Sequence, residues 1–183
     1  MGDCQNEVLV VEDDTDLREV YGRALSTTYA VSTAVDGSEA LDSITDDTDV
    51  VLLDRRLPDT DADALVRELT NECRDASMAL VTAVEPDFDI IQLGIDDYLV
   101  KPVTPDQLQD TIDRLLSLAE YDALYRELSQ KRVKRSVLAQ EKTPTELRES
   151  DEFERLCHDI ERLESDLDDI AETIGETPRG LEH

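Results

Sequence analysis

Five short apolar runs recur between residues 8 and 104, and segments with helical spacing separate them. The runs span residues 8–11, 29–33, 50–53, 78–82 and 98–100. Most are continuous stretches of aliphatic and β-branched residues, which is typical of parallel strands buried on both faces. Strands that alternate with helices predict an α/β domain with a five-stranded parallel sheet, right-handed crossovers and helices on both faces.

Polar residues stand where four of these strands end. Glu12 and Asp13 follow the first strand, Asp54 the third, Thr82 ends the fourth and Lys101 follows the fifth. The carboxyl ends of parallel strands lie along one sheet edge, where open α/β sheets bind ligands. Clustered carboxylates repel each other unless a cation lies among them, and hard oxygen ligands suit Mg²⁺. Because a lysine and a hydroxyl can bind phosphoryl oxygens and an aspartate can attack phosphorus, the pattern predicts phosphoryl transfer to Asp54.

Each of these residues also has an ordinary structural explanation. An aspartate after a strand, such as Asp54 or Asp14, is most often a helix or turn cap. Thr82 can be a β-former, and Tyr98 can be a core aromatic whose hydroxyl reaches water. The functional interpretation depends on all of them meeting at one place, and the role of Asp14 stays open between metal site and helix cap.

Four sequence motifs resemble those of the response-regulator receiver family of two-component signalling. They are Val10-Val11-Glu12-Asp13-Asp14, Leu52-Leu53-Asp54-Arg55-Arg56-Leu57-Pro58, Leu80-Val81-Thr82-Ala83 and Asp97-Tyr98-Leu99-Val100-Lys101-Pro102. The resemblance covers about residues 6–118, which we expect to form the receiver domain. It implies a CheY-like, flavodoxin-like (βα)5 fold with the strand order 2-1-3-4-5.

The resemblance also implies a role for each site residue. A sensor histidine kinase would phosphorylate Asp54, so the protein would be no enzyme beyond catalysing its own phosphorylation and dephosphorylation. Thr82 and Lys101 would bind the phosphoryl oxygens, and Tyr98 would swing inward when Thr82 is drawn to them. The implied Mg²⁺ ligands are Asp13, Asp54, Glu12 through water, and the backbone carbonyl of Arg56.

Two features depart from the family pattern. Receivers usually carry a glycine a few residues after the position of Pro58, and residues 59–62 contain none. Arg56 lies two residues past the phosphoacceptor, where family members tune the access of attacking water. We hypothesise that its side chain shields the acyl phosphate, and the alternative is a solvated arginine on an acidic surface.

The sequence after Lys101 predicts long helices. Thr104-Pro105-Asp106-Gln107 is a capping box, and no glycine or proline interrupts the helix before about Gln140. Thr143-Pro144-Thr145-Glu146 repeats the start signal, and Gly175 predicts a stop. In between, apolar residues alternate at three- and four-residue spacing, at Leu156, Ile160, Leu163, Leu167, Ile170 and Ile174. This coiled-coil seam predicts either a hairpin with the preceding helix or pairing with a second subunit.

Residues 105–183 resemble the helical HalX-type segment that follows receivers in salt-loving archaea. We expect a coiled-coil output segment at 119–176, continuous with the last receiver helix, and a tail at 177–183 whose residues 181–183 look like a tag remnant. The usual label of that family is transcriptional control. A homodimer through the fourth and fifth receiver helices and the coiled coil is a further expectation.

Charge and composition bear on the compartment and the partner. The net charge of −28 favours a cytoplasm of high ionic strength, where salt screens the repulsion. The three scattered cysteines favour a reducing compartment. No apolar run is long enough to predict a membrane span. Residues 126–142 carry six basic against two acidic residues. Four of them, Lys131, Arg132, Lys134 and Arg135, can contact DNA phosphates or pair with the acidic helix that follows.

Overall fold

The computed structural model describes residues 5–58 and 60–176. The chain divides into two compact units, Met1–Leu116 and Ser117–His183. The first unit contains a parallel sheet with the order β2-β1-β3-β4-β5, so the predicted architecture is confirmed. Its strands are β1 (Glu7–Val11), β2 (Ala30–Ala34), β3 (Thr48–Leu53), β4 (Ser77–Thr82) and β5 (Asp97–Val100). The helices between them are α1 (Thr15–Leu25), α2 (Gly37–Ser43) and α3 (Ala62–Glu72).

The sheet is covered on both faces. Val8 and Val10 pack in one core with residues of α1 and the start of the long helix, including Ile112. Leu9 and Val11 point to the opposite face and pack in a second core with residues of α2 and α3. Successive side chains of a strand point to opposite faces of the sheet. A strand that is buried on both faces therefore needs apolar residues at successive positions, and the runs in this sequence meet that requirement.

The fourth predicted helix is different from the expectation. Phe88–Gln92 form a 3-10 helix of 5 residues between β4 and β5. Pro86 and Gly94 bracket this segment, and both residue types disfavour the extension of a helix through them. Its apolar residues Phe88 and Ile91 are 85% and 77% exposed. If the protein dimerised through the fourth receiver helix, this short 3-10 helix would therefore have to form that part of the interface.

The second part of the chain is helical. It contains α4 (Pro105–Glu141, 37 residues), α5 (Pro144–Arg148) and α6 (Asp151–Glu176). The uninterrupted long helix is confirmed, and Thr143 and Glu146 form the predicted capping box. This box starts only the short α5, however, because Ser150 accepts a hydrogen bond from the Phe153 amide and starts α6 separately. Gly175 lies inside α6 and does not end it, and the predicted tail at 177–183 lies outside the described residues.

The coiled-coil seam is satisfied within one chain. Leu128 of α4 is buried with Ile160, Leu163 and Leu167 of α6, and Leu124 packs at the edge of this cluster. Of the two arrangements that the sequence left open, the structure contains the helical hairpin, which we define as residues 117–176. None of the helices in the described parts of the chain has an apolar stretch that could cross a bilayer.

Candidate functional site

An acidic pocket lies where β1 and β3 end side by side. The parallel register pairs Val11 with Leu53, and the Asp54 amide donates to the Val11 carbonyl at 2.9 Å. Glu12 and Asp54, the residues that follow, are only 2% and 7% exposed. Carboxylate oxygens of Glu12, Asp13 and Asp54 lie within 4.8 Å of one another. The structure thus brings together the three predicted carboxylates.

Lys101 holds two of these carboxylates together. Its Nζ donates to Glu12 Oε2 and to Asp54 Oδ2, each at 2.6 Å. The pairing of Thr82 with Val100 and the bond from the Lys101 amide to the Thr82 carbonyl at 2.8 Å bring the lysine to the pocket. A cation buried between two carboxylates is a strong interaction, because little water screens it.

Burial and charge shift the pKa values in this pocket. Burial raises the pKa of Glu12 above 4.5, although Lys101 opposes this effect. Burial alone would lower the pKa of Lys101, but its hydrogen bonds to Asp54 and Glu12 outweigh burial and raise the pKa above 10.5. Lys101 is therefore positively charged at neutral pH and can stabilise additional negative charge at Asp54.

The donor set fits a magnesium ion. Glu12, Asp13 and Asp54 offer oxygens only, and Asp13 is exposed to solvent while the other two are buried. Mg²⁺ prefers such carboxylates together with retained water molecules. The Arg56 amide donates to Asp54 Oδ1 at 2.9 Å, which brings the backbone of this residue to the pocket. The role of its carbonyl as a metal ligand stays a prediction.

Asp14 acts as a helix cap. Its Oδ1 accepts from the amides of Asp16 at 2.9 Å and Leu17 at 3.1 Å. These bonds satisfy two free amides in the first turn of α1. The open question about Asp14 is therefore resolved in favour of the cap.

Arg18 supports the acidic loop in a way that the sequence did not suggest. Its Nη1 donates to the backbone carbonyl of Glu12 at 2.7 Å and reaches that of Asp13 at 3.4 Å. A second guanidinium nitrogen reaches Thr15 Oγ1 at 3.3 Å. The two contacts with the acidic residues go to their backbone oxygens, so the arginine holds the backbone of the loop without pairing with the carboxylates.

We expect Arg18→Ala to lower the free energy of unfolding by about 1.5–3 kcal/mol, because hydrogen bonds from a charged donor would be lost. Urea denaturation followed by circular dichroism measures this change. Arg23→Ala is the matched control, since Arg23 is an exposed arginine of the same helix with no hydrogen bond or ion pair in the described structure. Equal effects of the two substitutions would contradict the supporting role of Arg18.

Thr82 and Tyr98 meet through the backbone of Val84. Thr82 is fully buried, and its Oγ1 accepts from the Val84 amide at 3.4 Å. The Tyr98 hydroxyl donates to the Val84 carbonyl at 2.7 Å. One residue of the loop after β4 therefore contacts both predicted switch residues, and no sequence motif predicts these contacts.

The arginines after Asp54 have different surroundings. Arg55 forms an ion pair with Asp63 at 3.7 Å. Arg56 is exposed, and its side chain forms no ion pair within the described residues. Its side chain is therefore not held by another charged group among these residues, and the shielding hypothesis stays a prediction.

Half of the predicted basic patch is engaged in ion pairs within the hairpin. Lys131 donates to Asp159 at 2.7 Å, and Arg132 donates to Glu164 at 2.6 Å. Lys134 and Arg135 are exposed and form no ion pair in the part of the chain that the structure describes.

Family comparison agrees with this geometry. Residues 8–113, more than half of the chain, match the model of the response regulator receiver domain. The chain belongs to the response regulator receiver family. Residues 117–180 match the HalX domain. The receiver match covers all five strands, and the HalX match covers the helical hairpin.

Individual relatives agree with the family match. A Haloferax volcanii protein named "Putative transcriptional regulator" is 41% identical over 125 residues, which are 68% of this chain but 22% of that protein. The response regulator SaeR of Staphylococcus aureus is 30% identical over 60% of this chain and 50% of its own length. The chain thus spans half or less of these two relatives. The CheY-like receiver protein from Methanospirillum hungatei superposes with a TM-score of 0.60 at 25% identity, over 64% of this chain and 98% of that one.

Proposed function

We propose that this response regulator accepts a phosphoryl group from a sensor histidine kinase on Asp54 and thereby switches its HalX segment, in the control of transcription. The observation that carries the proposal is the contact of Lys101 with both Glu12 and Asp54 at 2.6 Å, beside the exposed Asp13. This combination supplies a nucleophile, a fixed positive charge and a place for a divalent cation. The reducing cytoplasm is the compartment in which such a kinase and its receiver would meet.

The residues divide the chemistry among them. An oxygen of Asp54 attacks phosphorus, and the acyl phosphate bond forms as the bond to the histidine nitrogen of the kinase breaks. The electron pair of the broken bond stays on that nitrogen, which takes a proton from water and leaves as neutral imidazole. Lys101 and Thr82 bind phosphoryl oxygens on the product. Bound Mg²⁺ would supply further charge neutralisation, held by Asp13, Asp54 and, through water, Glu12.

The switch acts through the loop after β4. When Thr82 moves towards the phosphoryl group, its bond to the Val84 amide changes, and the Tyr98 hydroxyl bound to the Val84 carbonyl follows. Tyr98 lies on β5 next to Asp97, whose carboxylate pairs with Arg114 in the first part of α4. This series of contacts connects the phosphorylation site to the first part of α4, from which the output segment continues.

Transfer can be tested without the kinase. The intact protein is incubated with acetyl phosphate and MgCl2 and weighed by mass spectrometry. We expect one added phosphoryl group per chain, and none when EDTA is present. Failure to label in the presence of Mg²⁺ would contradict the proposal.

The output can act on DNA directly or through a protein partner. The internal pairing of Lys131 and Arg132 favours the protein partner, because it leaves few cations for phosphates on a strongly acidic chain. A DNA-binding output would give mobility shifts that weaken steeply with salt, whereas the protein-interaction output gives none even at low salt.

Arg56 is expected to prolong the phosphorylated state. Arg56→Ala removes the side chain that shields the acyl phosphate, so its half-time should shorten several-fold. The measurement is the decay of the phosphorylated mass after removal of the phosphodonor. Arg67→Ala, an exposed arginine of α3, is the control, and an unchanged half-time in Arg56→Ala would refute the shielding hypothesis.

A further inference from the structure

The apolar side chains of α4 change face after Leu128. Leu124 and Leu128 face α6 within the hairpin. Val133 and Val137 follow one turn apart and are 64% and 53% exposed. Val133 lies five positions after Leu128, an offset that places it about 140° around the helix from the seam. Together with the small side chain of Ser129, they form an outward face between residues 129 and 137.

The core of the hairpin is small for its length. Its fully buried apolar side chains, among the residues described, are Leu128, Ile160, Leu163 and Leu167. In units of fewer than about 70–80 residues a single core rarely supplies more than about 3–5 kcal/mol, and association is one way to add to it. Two antiparallel helices usually bury a second seam by packing against another pair, as in four-helix bundles. A second copy of this hairpin would supply the missing contacts.

The charges at the two sides of the hairpin are complementary. Lys134 borders the outward face of α4 and forms no ion pair within the described structure. Helix α6 carries eleven acidic and two basic residues between 151 and 176. Of these acids, only Asp159 and Glu164 pair with α4 among the described contacts. The acidic face of α6 in one copy therefore fits the basic border of α4 in another.

We propose that the outward face of α4, residues 129–137, is the interface with the helical hairpin of a second copy of this chain. The two hairpins form a four-helix assembly in which Val133 and Val137 become buried. The interface does not depend on the phosphorylation of Asp54, so the unphosphorylated protein associates.

Salt distinguishes this partner from a nucleic acid. Each copy carries a net charge of −28, so two copies repel each other at low ionic strength. The screening length falls from about 10 Å at 0.1 M salt to about 3 Å at 1 M, while apolar contacts persist. Self-association should therefore tighten as salt rises to the molar range, whereas binding to DNA would weaken.

The test is sedimentation equilibrium of the full chain, without phosphodonor, at rising KCl concentrations. The double variant Val133→Ser, Val137→Ser should associate at least about tenfold more weakly, because two apolar side chains leave the interface. Val20→Ser, Val35→Ser is the matched control, since these valines of the receiver domain are also exposed. Circular dichroism checks that each variant keeps its helices.

Lys134→Glu adds an independent test of the charge contribution. At low KCl it should weaken association without removing an apolar contact, and this effect should shrink at molar KCl, where the charges are screened. Asp54→Asn should leave association unchanged. A wild-type chain that is monomeric at every salt concentration would overturn the inference. So would equal association of the Val133, Val137 variant and the wild type, or a dimer that only the Val20, Val35 control disrupts.

Discussion

Asp54→Asn should abolish phosphorylation by acetyl phosphate, while Asp14→Asn should leave it intact. The two aspartates lie near the same pocket, but only Asp54 contacts Lys101, whereas Asp14 caps α1. The side-chain amide of asparagine has almost the shape of the carboxylate but is a poor nucleophile, so no acyl phosphate forms. Asparagine is also a good N-cap, so the control keeps its helix.

Intact-protein mass spectrometry measures both variants under the conditions of the wild type. The expected loss for Asp54→Asn is complete, and the mass of Asp14→Asn should increase at the wild-type rate. A thermal melt of each variant separates loss of chemistry from loss of folding. Labelling that persists in a folded Asp54→Asn protein would place the phosphoryl group on another residue.

Lys101→Met should destabilise the receiver domain strongly at neutral pH. Methionine keeps much of the length of the side chain but leaves the buried carboxylates of Glu12 and Asp54 without their cation. Removal of one partner from a buried ion pair typically costs about 3–5 kcal/mol. The free energy of unfolding from urea denaturation at pH 7 measures the loss.

The pH dependence identifies the cause of this loss. The raised pKa of Lys101 means that its contribution in the wild type is fully present below 10.5 and disappears as the pH rises through the folded-state pKa. In Lys101→Met, the pKa of Glu12 should rise further above 4.5, because the lysine that lowers it is gone. The Glu12 carboxyl of the folded variant then takes up a proton more readily, and part of the stability should return as the pH falls. Added Mg²⁺ should restore stability by the same neutralisation of charge.

Lys142→Met is the control for Lys101→Met. Lys142 is exposed, and its ion pair with Glu146 at 3.6 Å lies on the helix surface. Exposed pairs contribute about 0–1 kcal/mol, so this variant should unfold almost like the wild type. A small and pH-independent loss in Lys101→Met would contradict the central place of Lys101 in the pocket.

The sequence alone was sufficient for the sheet and for the composition of the pocket. Continuous apolar runs such as 50–53 identify strands with both faces buried, and parallel strands place their carboxyl ends at one edge. Glu12, Asp13, Asp54 and Lys101 could therefore be assigned to one site, because their positions follow from strand order and register. The heptad spacing of α6 likewise predicted its three buried side chains, Ile160, Leu163 and Leu167. The other predicted seam residues, Leu156, Ile170 and Ile174, are only partly buried.

Contacts between segments distant in the chain were decided only by the tertiary structure. The heptad pattern fits a partner in the same chain or in another, and the packing of Leu128 against Ile160 selects the hairpin. Asp13 and Asp14 both follow β1 in sequence, yet Asp14 caps α1 whereas Asp13 lies in the carboxylate cluster with Glu12 and Asp54. The contacts of Thr82 and Tyr98 with Val84 are made by its backbone amide and carbonyl. Since every residue has these groups, no residue type in the sequence marks the position. Local patterns encode propensity and periodicity, whereas such pairings depend on distances that exist only once the chain has folded.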